Sequence, residues 1–403
     1  MNTKKDASTS IVDRLNINSR RNFVKGAAAG WVFLQSGAAF GAALSSKSAK
    51  PGNKKLVWIF LRGALDSLHT IVPISDPDLM QYRDSLLAPI RDKLLPLNND
   101  YALHPSLSFM HQLYASKQMS PVVAVASAYR ERSHFDAQDQ MESGLNETDH
   151  ENGWMARLSS QIQGQGVAIS RSVPIALRGS SRRAETWFPS SFPEADEDLL
   201  ARLSGLYEDD DVLSEHIKAV IAQKENPNMQ MEEKKRANFA YLAARCGELL
   251  VNNDNLHCAM LELGGWDTHN NQNGRLARLL TELDGGIKNL KTSLGNAWDD
   301  TLVVVSTEFG RTVAVNGTQG TDHGTGAGMF FAGGALGKFT ENSSSLLGGK
   351  VHGVWPGLSK DKLFEARDLM PTTDVRDWLG IAMSAHWGLK RNQIKAIFPN
   401  SSA

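Results

Sequence analysis

The sequence has little cysteine and almost no net charge, and both facts exclude classes of protein. Its 403 residues include only two cysteines, Cys246 and Cys258, too few for a disulfide framework or a cysteine metal cage. Forty-three basic and 44 acidic residues leave a net charge of −1, so no basic field indicates a nucleic-acid partner. The hydrophobic share of 41% is that of an ordinary globular protein. Cys246 lies in a helical pattern and Cys258 in a strand pattern, which favours two buried thiols over a disulfide.

The N-terminus also lacks a long hydrophobic run. The apolar stretch 26–43 is weak and short for a membrane span, so we expect no stable span in the mature chain. It follows Ser19–Lys25 (SRRNFVK), which predicts a twin-arginine signal peptide over residues 1–43, with Gly41 or Ala43 as the last residue removed. This predicts export of the folded chain by the Tat machinery to the periplasm or beyond. A basic N-terminus before a short helix, or an uncleaved anchor, is the alternative.

After a linker at 44–55, four apolar runs each end in a polar loop. They are Lys55–Leu61, Pro121–Ala126, Leu256–Leu263 and Thr301–Ser306. Between the third and fourth run, leucines and an isoleucine from Leu276 to Leu294 recur at a helical period. Strand, long helix and strand predict an α/β fold, a mostly parallel sheet sandwiched by helices, over residues 56–400. The charge-rich helical stretch at about 194–250 is expected to be an insertion.

Side chains that can bind a metal ion or act as a nucleophile follow each of the four apolar runs. Parallel strands bring their carboxyl ends to one edge, where ligands bind. Carboxylates and imidazoles suit divalent cations such as Zn²⁺, Mn²⁺, Mg²⁺ or Ca²⁺. Taken singly, such an aspartate can equally be a helix cap, and Asp322 can be a turn residue. The residues in question are Asp66, Ser133, His134, Asp267, His269, Glu308, Asp322 and His323.

The order of these residues resembles the alkaline phosphatase superfamily, which includes sulfatases and phosphodiesterases. It is most similar to a branch that is often exported by the Tat route, the proteins with domain of unknown function 1501. The resemblance rests on five segments: FLRGALDSL (60–68), SHFDAQDQMESG (133–144), GGWDTH (264–269), STEFGRT (306–312) and TDHGTG (321–326).

The resemblance implies one or two metal ions at this edge. Asp66 and Glu308 would hold one ion, and Asp267, His269 and His323 the other, with His134 and Asp322 as further candidates. Ser133 falls at the position of the superfamily's nucleophile. Phe309 stands where the superfamily has a histidine, which weakens one of the two sites, and we expect this ring to pack against the wall of the site or the helix behind it.

The resemblance therefore predicts an exported, metal-dependent hydrolase of a phosphate or sulfate ester. Arg62, Arg130, Arg132 and Arg311 are candidates to bind the anionic oxygens of the ester, although each can equally form a structural ion pair. The sulfatase pattern Cys/Ser-x-Pro-x-Arg is absent, which argues against formylglycine chemistry. The alternative is a non-catalytic exported binding or assembly protein that retains the fold, and Phe309 motivates it.

Overall fold

The computed structural model describes residues 53–179, 184–189 and 238–402. The predicted signal peptide, most of the linker and residues 194–237 of the predicted insertion lie outside these ranges. All statements below concern the described residues.

The centre of the fold is an eight-stranded sheet with the order β11-β5-β10-β9-β1-β8-β6-β7. Only β10 is antiparallel to its neighbours, so the predicted mostly parallel sheet is confirmed. A separate three-stranded sheet has the order β2-β4-β3. The strands are β1 Lys55–Arg62, β2 Ile71–Val72, β3 Leu95–Pro96, β4 Ala102–Leu103, β5 Met119–Ala126, β6 Gln165–Ala168, β7 Glu185–Thr186, β8 Leu256–Gly264, β9 Thr301–Thr307, β10 Ala327–Ala332 and β11 Thr373–Asp374.

Helices cover both faces of the large sheet. They are α1 Ser67–Thr70, α2 Leu79–Leu87, α3 Ser108–Ala115, α4 His134–Ser143, α5 Trp154–Ile162, α6 Phe239–Asn252, α7 Gln272–Leu294, α8 Val375–Trp387 and α9 Arg391–Ile397. Short 3₁₀ turns occupy Arg91–Lys93, Ile175–Leu177, Gly295–Asp300, Gly334–Lys338 and Lys360–Lys362.

The side chains of β1 show why both faces are covered. Val57, Ile59 and Leu61 pack in one buried cluster, together with residues of α3, α6 and α7. Leu56, Trp58 and Phe60 point to the other face and join residues of α4, α5, α8 and α9. Because every residue of the strand from Lys55 to Leu61 is buried, its sequence is continuously apolar after the first position and does not alternate.

One boundary differs from the prediction. Residues 239–250 were expected to belong to the insertion, but α6 packs directly against α7 and β8 and forms part of the helical layer. Its apolar stripe includes Cys246, which is buried and unpaired, as is Cys258 on β8. The prediction of two buried thiols is thus confirmed.

The parallel register brings the polar loops to one edge. Leu61 of β1 lies beside Thr307 of β9, and Arg62 lies beside Gly264 of β8. The chain therefore leaves all three strands at the same height, and the loops that follow them are neighbours. Within the described part of the chain, no helix is long and apolar enough to cross a membrane.

Candidate metal centre

Four side chains from three loops meet beyond this edge. Asp267 Oδ1 lies 2.9 Å from Nε2 of His269, 3.2 Å from Nε2 of His323 and 3.6 Å from Nε2 of His134. His323 Nε2 lies 3.0 Å from His134 Nε2 and 3.1 Å from His269 Nε2. We call these four residues the His/Asp cluster.

The partners of the Nδ1 atoms decide where the protons are. His134 Nδ1 lies 2.8 Å from Glu308 Oε1, and His323 Nδ1 lies 3.1 Å from the carbonyl oxygen of Arg132. A carbonyl and an ionised carboxylate can only accept, so each Nδ1 carries the proton. In the neutral imidazole, Nε2 then presents its lone pair to the cluster.

His269 has the same arrangement. Its Nδ1 lies 3.0 Å from Asp322 Oδ1, which also accepts from Asn316 Nδ2 at 3.0 Å. The Asn316 bond comes first among the causes that lower the pKa of Asp322, so this group stays ionised and acts as an acceptor. Asp322 therefore orients His269 and does not enter the cluster itself.

The cluster satisfies the chemistry of a divalent metal site. Unprotonated nitrogens and a carboxylate oxygen at these distances repel each other unless a cation or shared protons lie between them. Zn–N and Zn–O bonds of about 2.0–2.2 Å at tetrahedral angles separate the ligand atoms by roughly 3.3–3.5 Å, and the ligand atoms of His134, Asp267 and His323 lie 3.0–3.6 Å apart. An acceptor on every Nδ1 is the usual support of a metal-bound histidine. The cluster could therefore hold one divalent ion.

Arg311 keeps Asp267 ionised. Its Nη1 donates to Asp267 Oδ1 at 2.6 Å, and its other nitrogens donate to the hydroxyl and carbonyl of Thr321. Burial favours the neutral carboxyl of Asp267, but the Arg311 guanidinium outweighs it and lowers the pKa of Asp267. Arg311 is fully buried in this role and was predicted to bind substrate anions instead.

The loop between β9 and β10 wraps closely around His269. The carbonyl oxygen of His269 accepts from Asn316 Nδ2 at 2.9 Å and from the Thr318 hydroxyl at 2.7 Å. Gly320 approaches so closely that a Cβ at this position would lie 2.2 Å from the same oxygen. The glycines of this loop therefore allow the contact that holds His269 in place.

Glu308 supports the cluster but does not belong to it. Its Oε1 accepts from His134 Nδ1, Gln138 Nε2 and the Gly63 amide, each at 2.8 Å, and its Oε2 accepts from the Thr307 hydroxyl at 2.8 Å. Burial raises the pKa of Glu308, but the bond from His134 and the other donors bring it below its usual value. With both oxygens engaged, Glu308 orients His134 where we had expected a ligand.

Phe309 packs against the wall of the cluster, as expected. Its ring stacks on His134 with centroids 4.9 Å apart and forms a small buried group with Ala64 and Ala137. The ring is therefore in apolar surroundings, beside the imidazole whose Nδ1 faces Glu308.

Asp66 lies apart from the cluster, contrary to the resemblance. Its oxygens accept from Arg83 Nη1 at 2.5 Å and Nη2 at 3.1 Å, and from Gln272 Nε2 at 2.5 Å. Burial opposes ionisation, but the Arg83 charge lowers the pKa of Asp66. Gln272 Oε1 accepts from the hydroxyls of Thr268 and Thr321, so Asp66 is connected through Gln272 to the loops that carry the cluster.

Ser133 occupies the N-cap position of α4 with an extended backbone, and its side chain makes no capping bond. The residue before it, Arg132, has a φ of 60°, a left-handed conformation that is rare for a residue with a Cβ. The Arg132 guanidinium is held by Asp368 and Glu365, while its carbonyl orients His323. Arg132 thus serves the cluster through its backbone.

Other predicted anion-binding groups are also engaged. Arg62 donates to Gln138 Oε1 at 2.7 Å and forms ion pairs with Glu142 and Glu262 at 2.5 and 2.7 Å. Arg130 donates to the backbone carbonyls of Ser127 and Tyr129. No sequence pattern had pointed to Arg83, Gln138 or Gln272, since amides and a distant arginine carry no recognisable spacing.

Comparison with known proteins places the chain in a family. The family described as "Protein of unknown function (DUF1501)" matches residues 104–398. The chain belongs to this family. The predicted family is thereby confirmed, while its description assigns no activity. No curated protein matches the chain.

Solved structures give weaker likenesses. The C-terminal periplasmic domain of EcEptC from Escherichia coli, in complex with Zn, has 9% identity and a TM-score of 0.35, with 70% of this chain and 74% of that chain covered. Murine ectonucleotide pyrophosphatase/phosphodiesterase 5 has 12% identity and a TM-score of 0.31, with 64% of this chain and 57% of that chain covered. The lipoteichoic acid synthase LtaP from Listeria monocytogenes has 9% identity and a TM-score of 0.33, with 72% of this chain and 68% of that chain covered. At these values the likeness carries no inference about activity.

Proposed function

We propose that this protein is an exported, metal-dependent hydrolase of a phosphate or sulfate ester that uses one metal ion. The observation that carries the proposal is the His/Asp cluster, in which three Nε2 atoms lie within 3.6 Å of one carboxylate oxygen. Within it, His134, Asp267 and His323 form a group whose ligand atoms all lie within 4.8 Å of one another. Imidazoles with one carboxylate suit Zn²⁺ better than Mg²⁺ or Ca²⁺, which prefer oxygen ligands. An ion held by these three residues would keep a coordination position, at which it would supply Lewis acidity toward an ester oxygen.

The chain's own residues would hold and tune this ion. His134 and His323 would be its nitrogen ligands, each kept in the required tautomer by the oxygen on its Nδ1. His269 would contact Asp267 beside them, with its own Nδ1 held by Asp322. Asp267 would be the oxygen ligand, with part of its charge offset by Arg311. A second ion has no support, because both oxygens of Asp66 and of Glu308 are already bonded to protein groups.

Ser133 remains the proposed nucleophile. It precedes the ligand His134 directly, and its hydroxyl is not used to cap α4. The first amides of this ten-residue helix are next to the hydroxyl in sequence and favour an anion developing there. The ester group would therefore lie between the Ser133 hydroxyl and the His/Asp cluster.

Elemental analysis of the purified full chain tests the metal, and Asp267→Asn tests the ligands. We expect about one Zn²⁺ per chain in the wild type and less in Asp267→Asn. Hydrolysis of aryl phosphate monoesters, diesters and sulfate esters tests the reaction, with Ser133→Ala expected to lose activity while it keeps its metal. A folded wild-type chain that binds no divalent ion would refute the proposal.

A second candidate function has one specific observation in its favour. The residues expected at the second ion, Asp66 and Glu308, form structural bonds, and Phe309 is buried against His134. A non-catalytic exported protein that binds one metal would look the same. A chain that binds Zn²⁺ but hydrolyses none of the three ester classes would favour this alternative.

A further inference from the structure

Three of the four cations predicted to bind substrate are already neutralised. Arg62, Arg132 and Arg311 each form at least one ion pair with a carboxylate, and Arg130 donates to the backbone carbonyls of Ser127 and Tyr129. An arginine whose guanidinium is already paired in this way has little uncompensated charge for an incoming anion. A substrate oxyanion at the His/Asp cluster therefore needs another positive group.

Arg275 is a further positive group near the cluster, and no sequence motif had indicated it. Its Nη1 donates to Asn270 Oδ1 at 2.9 Å, and its Nη2 donates to the carbonyl oxygen of Asp267 at 3.4 Å. Both partners are neutral, and no carboxylate among the described residues forms an ion pair with Arg275. Its charge is therefore not compensated, and two neutral bonds fix it against the loop that carries Asp267 and His269.

The position of Arg275 is poor for the helix that contains it. Arg275 is the fourth residue of α7, close to the helix N-terminus, and the first turn contains no acidic residue. A positive charge there is opposed by the helix dipole, which favours an acidic side chain. The stability of the helix therefore does not explain an arginine at this position. An anion bound beside Arg275 would explain it.

The cluster is most exposed at the two residues of the loop to which Arg275 is bonded. The side chains of Asp267 and His269 are each 41% exposed, whereas those of His134 and His323 are 19% and 28% exposed. The exposed carboxylate of Asp322 is already bonded to His269 and Asn316. A ligand would therefore approach across the loop to which Arg275 is bonded.

We propose that Arg275 binds a non-reacting anionic oxygen of the substrate at the exposed part of the His/Asp cluster. This rests on the proposed function and extends it: the substrate is an ester whose phosphoryl or sulfuryl group keeps at least one charged oxygen that takes no part in bond cleavage. A planar guanidinium that donates two bonds to such a group also orients it.

Titration of the full chain with inorganic phosphate and with sulfate tests the assignment, and Arg278 provides the matched control. Arg278 lies one turn further along α7, is exposed, and is an arginine of the same helix. Phosphate binding would be measured by calorimetry for the wild type, Arg275→Gln, Arg275→Lys and Arg278→Gln, each with and without Zn²⁺. Loss of a charge-assisted bond should weaken binding about tenfold or more in Arg275→Gln. The phosphate affinity of Arg275→Lys should lie between those of Arg275→Gln and the wild type. The affinity of Arg278→Gln should match that of the wild type.

The two proposals fail in different ways. Equal phosphate affinity in Arg275→Gln and the wild type, with and without Zn²⁺, would overturn the role of Arg275. A wild-type chain that binds neither phosphate nor sulfate would overturn it too, as would an equal loss in Arg278→Gln. Zn²⁺ affinity is measured separately by competition with a chelating dye, and we expect it to be unchanged in all three variants. Absence of Zn²⁺ binding in the wild type would refute the proposed function, whatever the phosphate titrations give.

Discussion

Asp66→Asn distinguishes a structural role of Asp66 from a role as metal ligand. The carboxylate and the Arg83 guanidinium are both fully buried and are bonded at 2.5 and 3.1 Å. Asparagine keeps the shape of the side chain but removes its charge. Arg83 would then keep only neutral partners, namely the carbonyls of Thr312 and Val313 and the remaining amide oxygen at position 66, and its charge would be buried without a counterion.

The expected cost follows from this burial. Removal of one partner of a buried ion pair costs about 3–5 kcal/mol. At roughly 2–4 °C per kcal/mol, the melting temperature of Asp66→Asn should fall by roughly 6–20 °C. Because the folded-state pKa of Asp66 is lowered, its contribution is present above the ordinary value of about 3.9 and is lost as the pH falls through the folded-state value. The difference in melting temperature between wild type and variant should therefore shrink below about pH 4.

The assay combines calorimetric melting in EDTA with Zn²⁺ titration, so that bound metal does not contribute to the melting temperature. Asp66→Asn should melt early but bind Zn²⁺ nearly as well as the wild type, since Asp66 is not in the His/Asp cluster. Asp267→Asn is the control for metal binding and should lose Zn²⁺ affinity, while it also melts early because the buried Arg311 loses its counterion. Addition of Arg83→Gln to Asp66→Asn should recover part of the lost stability. A variant that melts like the wild type but no longer binds Zn²⁺ would show that Asp66 is a ligand and that this reasoning is wrong.

Three further predictions concern Glu308, Phe309 and the predicted signal. Glu308→Gln removes the charge opposite His134 Nδ1 and should weaken Zn²⁺ binding by roughly 10–100-fold in a dye competition; unchanged affinity would contradict the orienting role. Phe309→His buries an imidazole in an apolar wall and should cost about 1–3 kcal/mol of stability, with no second ion per chain by elemental analysis; a second ion would show a vacant site there. Replacement of Arg20 and Arg21 by lysine should leave the precursor in the cytoplasm, as judged by fractionation, and normal amounts of exported protein would count against a twin-arginine signal.

The sequence by itself determined the sheet and the edge at which polar groups collect. Continuous apolar runs such as Lys55–Leu61 can be buried only between two helical layers, and the βαβ order makes such strands parallel. Parallel strands end at one edge, so Asp267, His269 and Glu308 had to emerge near each other. These inferences need only the period and order of residue types along the chain, which the sequence displays directly.

Only the tertiary structure decided which polar group does what at that edge. Asp66 and Asp267 look alike in sequence, since each follows a buried strand. Both oxygens of Asp66 are engaged because α2 packs Arg83 against them, while Asp267 Oδ1 accepts from Arg311 and also lies within 3.6 Å of three imidazole nitrogens. Periodicity predicts the face on which a side chain lies, but a lone pair is free only when no partner from elsewhere in the chain occupies it. That depends on contacts between residues as distant as His134 and His323, which only the folded chain brings within 3.0 Å.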